Sequence, residues 1–216
     1  MSQAYYYHTS PDSKPIKIGR FNTSKTELKQ LSLAWVAISI AFANVLSAGN
    51  WAQYFAFFVI SAITVGTGFF LHELGHKIVA QKFGCFAEFR AFNSMLIFAV
   101  LLSFFGFVFA APGAVMIAGR PGPKQNGLIS LAGPLVNLAL AFVFLVLLIV
   151  SAVFGGGTFL PMLAGYGFLI NTWIALFNLI PIGNFDGIKI LAWSKTVYIV
   201  VAGFTLLLFL LQRTML

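Results

Sequence analysis

Long, uninterrupted apolar stretches constrain this chain more than any other feature of its sequence. Of its 216 residues, 60% are hydrophobic and only 8% are charged, against roughly 25% in a typical soluble domain. So little charge excludes a soluble globule. Because about 20 apolar residues in a helix cross a bilayer, the sequence predicts an all-α polytopic membrane protein with about five to six transmembrane helices. The apolar stretches are 31–48, 51–84, 94–119, 128–154, 158–180 and 197–211.

The distribution of charge predicts how the chain sits in the membrane. The chain has 13 Lys and Arg residues and five Asp and Glu residues, which gives a net charge of +8. Such an excess is also found in proteins that bind nucleic acid, but in a membrane protein it is typical of cytoplasmic loops. We therefore expect a lipid bilayer and no nucleic acid as partner. Residues 1–30 are interpreted as a basic cytoplasmic head, and residues 31–216 as a single membrane-embedded domain with its core at 51–190.

The third apolar stretch, 94–119, does not fit a single helix. As a helix it would be roughly 39 Å long, too long for one span and too short for two. Gly106 and the pair Pro112-Gly113 interrupt it, and 114–117 has the character of a strand. If the stretch returns to the side from which it came, twelve of the thirteen Lys and Arg lie on one side of the membrane. The positive-inside rule thus favours a re-entrant or short β element here.

The second stretch contains the strongest candidate site, His72-Glu73-Leu74-Gly75-His76. Residues four apart lie on one face of a helix, so both imidazoles can bind one zinc ion while Glu73 lies beside the position that water occupies. Small residues follow the same face, which indicates that it packs against protein rather than lipid. The alternative is that both histidines only donate hydrogen bonds to a neighbouring helix.

The third zinc ligand has few candidates because the chain has only five acidic residues. Asp186 follows Pro181, which ends or kinks a helix, and lies between Gly183 and Gly187, which allow an irregular backbone. Its carboxylate can reach the zinc site, or it can cap a helix that starts near Ile188. It lies on the same side of the membrane as the imidazoles only if the third stretch returns. The other acidic residues lie in the head or beyond the second stretch: Asp12, Glu27 and Glu88.

Together these motifs resemble the site-2 protease family of intramembrane zinc metalloproteases. The resemblance rests on three elements that cover about 51–190: the His72–His76 motif, Gly133-Pro134-x-x-Asn137, and Asn178-x-x-Pro181 with Asp186-Gly187. Two features depart from the family pattern. Asn184-Phe185 stands where a Pro or an apolar pair is more common, and 94–119 is longer than the family's strand region.

The resemblance implies a zinc metalloendopeptidase that cleaves a single-pass membrane protein within or near its transmembrane segment. One zinc ion per chain would be held by His72, His76 and Asp186, with Glu73 as general base. The resemblance assigns Asn178 to the oxyanion, although from the residues alone it could equally bridge two helices. Asn137 is expected to pack helices or to support a ligand. An exposed strand edge at 112–118 could hold an unwound substrate.

Three other functions would use residues of the same types. A transporter or channel could use intramembrane His, Glu and Asp as an ion or proton relay, although no inverted repeat is visible. A scaffold with a structural zinc would need a fourth protein ligand, which the sequence does not offer. A prenyl-protein type of zinc peptidase would need a later Glu as ligand, and no Glu follows Glu88.

Overall fold

The computed structural model describes residues 16–18, 21–108 and 112–215, and within them it contains five helical runs long and apolar enough to cross a membrane. This confirms the predicted polytopic, mainly helical architecture and makes the chain a multi-pass membrane protein. A π-helix at Ala62–Gly66 joins α2 and α3 into one 32-residue run. The helices are α1 (Lys25–Ser47), α2 (Trp51–Ser61), α3 (Thr67–Lys82), α4 (Asn93–Ser103), α5 (Pro123–Phe154), α6 (Phe159–Asn178), α7 (Asp186–Trp193) and α8 (Lys195–Met215).

Two short antiparallel sheets lie among the helices. One pairs β1 (Ile16–Ile18) with β2 (Phe21–Thr23), and the other pairs β3 (Phe86–Ala91) with β4 (Gly113–Ala118). Strand β3 precedes the third apolar stretch and β4 lies near its end, and their pairing places Ala91 opposite Gly113. The chain therefore returns to the point from which it left.

The segment between β3 and β4 extends along most of the length of α1. Helix α4 packs along α1, and Asn44, near the end of α1, donates a hydrogen bond of 2.9 Å to the Ser103 hydroxyl at the end of α4. Of the two topologies considered for 94–119, the structure thus has the re-entrant one, with a helix on the way in and a strand at the return. This arrangement brings the end of α3, the second sheet and the start of α5 together.

A buried ion pair joins α1 to α3 beside the second sheet. The Glu27 carboxylate, wholly buried in the first turn of α1, contacts the Lys77 ammonium group and accepts the Phe89 amide hydrogen of β3 at 2.9 Å. Glu88 accepts hydrogen bonds from Ser24 and from Arg90, the latter at 2.7 Å. Residues 25–30 of the expected head thus form the first turns of α1. Residues 1–15 and 19–20 of that head lie outside the described residues.

Candidate metal centre

The three predicted ligands meet in one place. His72 and His76 lie one turn apart on α3, and Asp186 is the first residue of α7. One carboxylate oxygen, Asp186 Oδ2, lies 3.4 Å from His72 Nε2 and 3.1 Å from His76 Nε2, and the two Nε2 atoms are 3.0 Å apart. All three side chains are buried. Asp186 lies in the first turn of α7, and its Oδ2 atom is directed at both imidazoles.

The hydrogen bonds of the two imidazoles fix which ring nitrogen faces the centre. His76 Nδ1 lies 2.8 Å from the Ile129 carbonyl oxygen, which can only accept, so Nδ1 carries the hydrogen. His72 Nδ1 lies 2.5 Å from Asn137 Oδ1 and donates in the same way. In the neutral ring the lone pair is therefore on Nε2 of both residues, and the two lone pairs point toward each other and toward Asp186.

This donor set fits a zinc ion. Two lone pairs and a carboxylate oxygen repel one another at 3.0–3.4 Å unless a cation lies between them. Ligand atoms about 2.0–2.1 Å from a tetrahedral zinc are about 3.3 Å apart, close to the spacing observed. Two nitrogens and one oxygen leave the fourth position open, as in catalytic and not structural zinc sites.

The two neighbouring histidines favour the ionised form of the Asp186 carboxyl. Burial raises its pKa, but the adjacent His76 and His72 side chains lower it by more, so the pKa lies below the ordinary value. Lys189 Nζ lies 3.9 Å from Asp186 Oδ1, the oxygen that faces away from the imidazoles. The carboxylate is thus in the form that binds a cation.

Two glycines allow the ligands to approach. A Cβ atom on Gly133 of α5 would lie 2.5 Å from His76 Nε2 and 2.6 Å from His72 Nε2. A Cβ atom on Gly187 would lie 2.1 Å from the Leu179 carbonyl oxygen, at the end of α6. Gly133 therefore lets the backbone of α5 touch both imidazoles, and Gly187 lets α7 fold back on α6 so that Asp186 reaches them.

Glu73 lies between the imidazoles in sequence and is tied to the second sheet. Its Oε2 accepts the Val115 amide hydrogen of β4 at 3.1 Å. In an antiparallel pair, alternate residues point their amides to opposite sides, so Val115 and Ile117 both present their N–H groups away from β3. The outer edge of β4 is therefore turned toward the candidate metal centre.

A cavity of about 690 Å³ is lined by the three predicted ligands and Glu73, and its volume is within the range of small-molecule sites. Its polar lining includes His72, Glu73, His76, Asn178, Asp186 and Lys189, and residues 113–115 and 117 of β4 line it as well. Its apolar lining includes Ile38 and Phe42 of α1 and Trp173, Ile174 and Phe177 of α6. The cavity thus combines a polar centre with walls that suit apolar side chains.

The asparagines of the two later motifs have different surroundings. Asn178 lines the cavity, but its Nδ2 donates one hydrogen to the Ile174 carbonyl oxygen of its own helix at 3.0 Å. Asn137 is wholly buried, contacts His72 and also bonds to α3 and α6, so it combines the two roles expected for it. Asn171 of α6 belongs to none of the sequence motifs, yet it accepts a hydrogen bond from Asn137 at 3.0 Å. The only sequence feature that could have pointed to Asn171 is a polar amide within an apolar stretch.

The chain is similar to two proteins whose names describe the same activity. A protein of Methanocaldococcus jannaschii named "Putative zinc metalloprotease MJ0611" is 42% identical over 183 residues, which cover 84% of this chain and 91% of that protein. A protein of Bacillus subtilis named "Putative zinc metalloprotease YwhC" is 31% identical over 149 residues, covering 60% of this chain and 66% of that protein. No family model and no solved structure matches the chain.

Proposed function

This chain belongs to the family of zinc metalloproteases that includes its Methanocaldococcus jannaschii relative, and from that premise we propose that it is an intramembrane peptidase of the site-2 protease type. Its proposed substrate is a single-pass membrane protein, cleaved within or near the transmembrane segment. One observation carries the proposal: His72, His76 and Asp186 converge at the wall of a cavity, among membrane-spanning helices, that also holds Glu73 and a strand edge.

In the proposed mechanism, His72 Nε2, His76 Nε2 and an Asp186 oxygen would hold one zinc ion. A zinc ion bound with an open position would lower the pKa of water toward about 7. Glu73 accepts the proton of the attacking water and later passes it to the leaving amine. The hydrogen bond from Val115 holds the Glu73 carboxylate at the strand edge, where the scissile peptide would lie.

Asn178 is proposed as the donor that stabilises the oxyanion. It lines the cavity, and the bond to Ile174 uses only one of the two hydrogens on its amide nitrogen. The second hydrogen can be donated to the carbonyl oxygen of a substrate.

The outer edge of β4 is proposed to bind an unwound substrate segment as an added strand. Val115→Pro and Ile117→Pro each remove one outward N–H, and we expect both to lower kcat/KM by at least tenfold while zinc content stays normal. Val115→Ala is the matched control because it trims the side chain and keeps the amide. Because Ile117→Pro leaves the hydrogen bond from Val115 to Glu73 in place, it tests pairing at the strand edge without disturbing the proposed general base. Unchanged cleavage by Ile117→Pro would exclude pairing at this edge.

The end of the bundle that carries the metal centre is proposed to face the cytoplasm. Lys25 and Lys29 lie in the first turns of α1, Lys82 is the last residue of α3, and Lys124 lies in the first turn of α5. The positive-inside rule favours the cytoplasmic side for such residues. The single-pass substrate would then be cleaved toward its cytoplasmic side.

Metal analysis together with a cleavage assay tests the proposed function. The purified protein in detergent should contain about one zinc ion per chain and cleave a single-pass membrane substrate. Chelation should abolish cleavage, and added zinc should restore it. A transporter would give ion flux in proteoliposomes and no product. Flux without cleavage by the zinc-loaded protein, or a protein that binds no zinc, would overturn the proposal.

A further inference from the structure

Three buried polar side chains form a line across three helices. Asn171 of α6 and Asn137 of α5 are wholly buried, and His72 of α3 is 3% exposed. Asn137 Nδ2 lies 3.0 Å from Asn171 Oδ1, and Asn137 Oδ1 lies 2.5 Å from His72 Nδ1. The line thus runs from the backbone of α6 to the candidate metal centre, although Asn171 itself does not touch that centre.

The direction of each hydrogen bond is determined by the one before it. Asn171 Nδ2 donates to the Gly167 carbonyl oxygen at 2.9 Å, so its oxygen must face Asn137. Asn137 Nδ2 donates to that oxygen and to the Gly68 carbonyl oxygen at 3.1 Å, which uses both of its hydrogens. Asn137 Oδ1 is therefore the atom that faces His72 Nδ1.

We propose that Asn171 is a positioning residue for the metal centre, acting through Asn137 on the orientation and tautomer of His72. With the Asn137 amide reversed, its NH₂ group would face His72 Nδ1 and favour the tautomer with hydrogen on Nε2, in which Nε2 has no lone pair for a metal. Asn171 opposes this reversal because it presents an acceptor to Asn137. Such partners of a metal-bound histidine change metal affinity by about 10–100-fold.

The backbone is shaped to allow this contact. A Cβ atom on Gly68 of α3 would lie 2.4 Å from Asn171 Oδ1, so only glycine lets α3 and α6 approach at this level. The same glycine supplies the carbonyl oxygen that takes the second hydrogen of Asn137. The alternative role is simple helix packing, since buried amides also hold membrane helices together. That role changes stability without selectively changing metal affinity.

The test compares two variants of Asn171 with a neighbour on the same helix. In Asn171→Ser the hydroxyl can still bond to the carbonyl oxygen four residues back but is too short to reach Asn137, and Asn171→Leu removes both bonds. Thr172→Val is the matched control because Thr172 is also wholly buried and its hydroxyl donates only to Phe168, at 2.8 Å. Asn171→Asp is the conservative variant, since its protonated carboxyl offers the same donor and acceptor.

The measurements are zinc affinity by competition with a chelator, the visible spectrum of the cobalt-loaded protein, and the unfolding temperature. We expect Asn171→Ser and Asn171→Leu to lose about 10–100-fold in zinc affinity and to change the cobalt spectrum. Asn171→Asp and Thr172→Val should stay within about threefold of wild type whatever their unfolding temperatures.

This inference rests on the proposed zinc function, and the same experiment separates the two. A wild-type protein that binds no zinc would overturn both. If wild type binds zinc and Asn171→Ser binds it equally well, or Thr172→Val loses as much affinity, only the positioning role of Asn171 is wrong.

Discussion

Glu73→Gln should lower kcat by about 10²–10⁴-fold, the usual contribution of a general acid–base group, while zinc content stays that of wild type. Gln has the same shape as Glu, and its side-chain oxygen can still accept the Val115 amide hydrogen that Glu73 accepts at 3.1 Å. The strand edge and the ligands therefore keep their places, and the variant loses only the ability to take a proton. Cleavage of a single-pass substrate and metal analysis of the same preparation measure both quantities.

Glu88→Gln is the matched control for this variant. Glu88 is also a buried carboxylate, but it bonds to Ser24 and Arg90 and does not line the cavity. Its loss should change stability more than turnover. If Glu73→Gln cleaves within about tenfold of wild type, the base is a different group. The two variants should therefore separate loss of the proton acceptor from loss of a buried charge.

The helices could be predicted from the sequence because each is specified locally. A run of apolar residues is enough to predict a span, and α1, α5, α6 and α8 each contain one. The third stretch left two topologies open because its path depends on β3, which lies outside it. Pairing of Ala91 with Gly113 joins residues that no local pattern connects. The sequence places Glu27 in the basic head for the same reason, since its partners, Lys77 and Phe89, are 50 and 62 residues away.

Some residues of the candidate site could likewise be identified from the sequence, and others could not. His72 and His76 could be identified because the helical repeat alone puts them on one face. Asp186 could be identified because the chain has so few acidic residues. The amides could not be interpreted from the sequence, since an asparagine in an apolar stretch can bond to its own helix, as Asn178 does, or to a neighbour, as Asn137 does. Only the packing of α3, α5 and α6 decides which.

Gly133→Ala should lower zinc affinity at least 100-fold. The new Cβ would lie 2.5–2.6 Å from the Nε2 atoms of His72 and His76, inside van der Waals contact with both. Neither ring can turn away without breaking its bond to Asn137 or to Ile129. The imidazoles and the backbone of α5 must therefore move apart, and the ligand spacing of 3.0–3.4 Å is lost.

Zinc-dependent stabilisation measures this loss without an activity assay. A ligand at 100 times its Kd stabilises a folded protein by about 2.7 kcal/mol, so zinc should raise the unfolding temperature of the chelator-treated wild type and leave that of Gly133→Ala almost unchanged. Gly203→Ala is the control because a Cβ there meets no atom within 4 Å. Gly75→Ala should be intermediate, since its Cβ would lie 3.1 Å from Val136 and 3.2 Å from the Ala132 carbonyl oxygen. An equal zinc response in all three variants would mean that close packing of α5 on the imidazoles is not what assembles the metal centre.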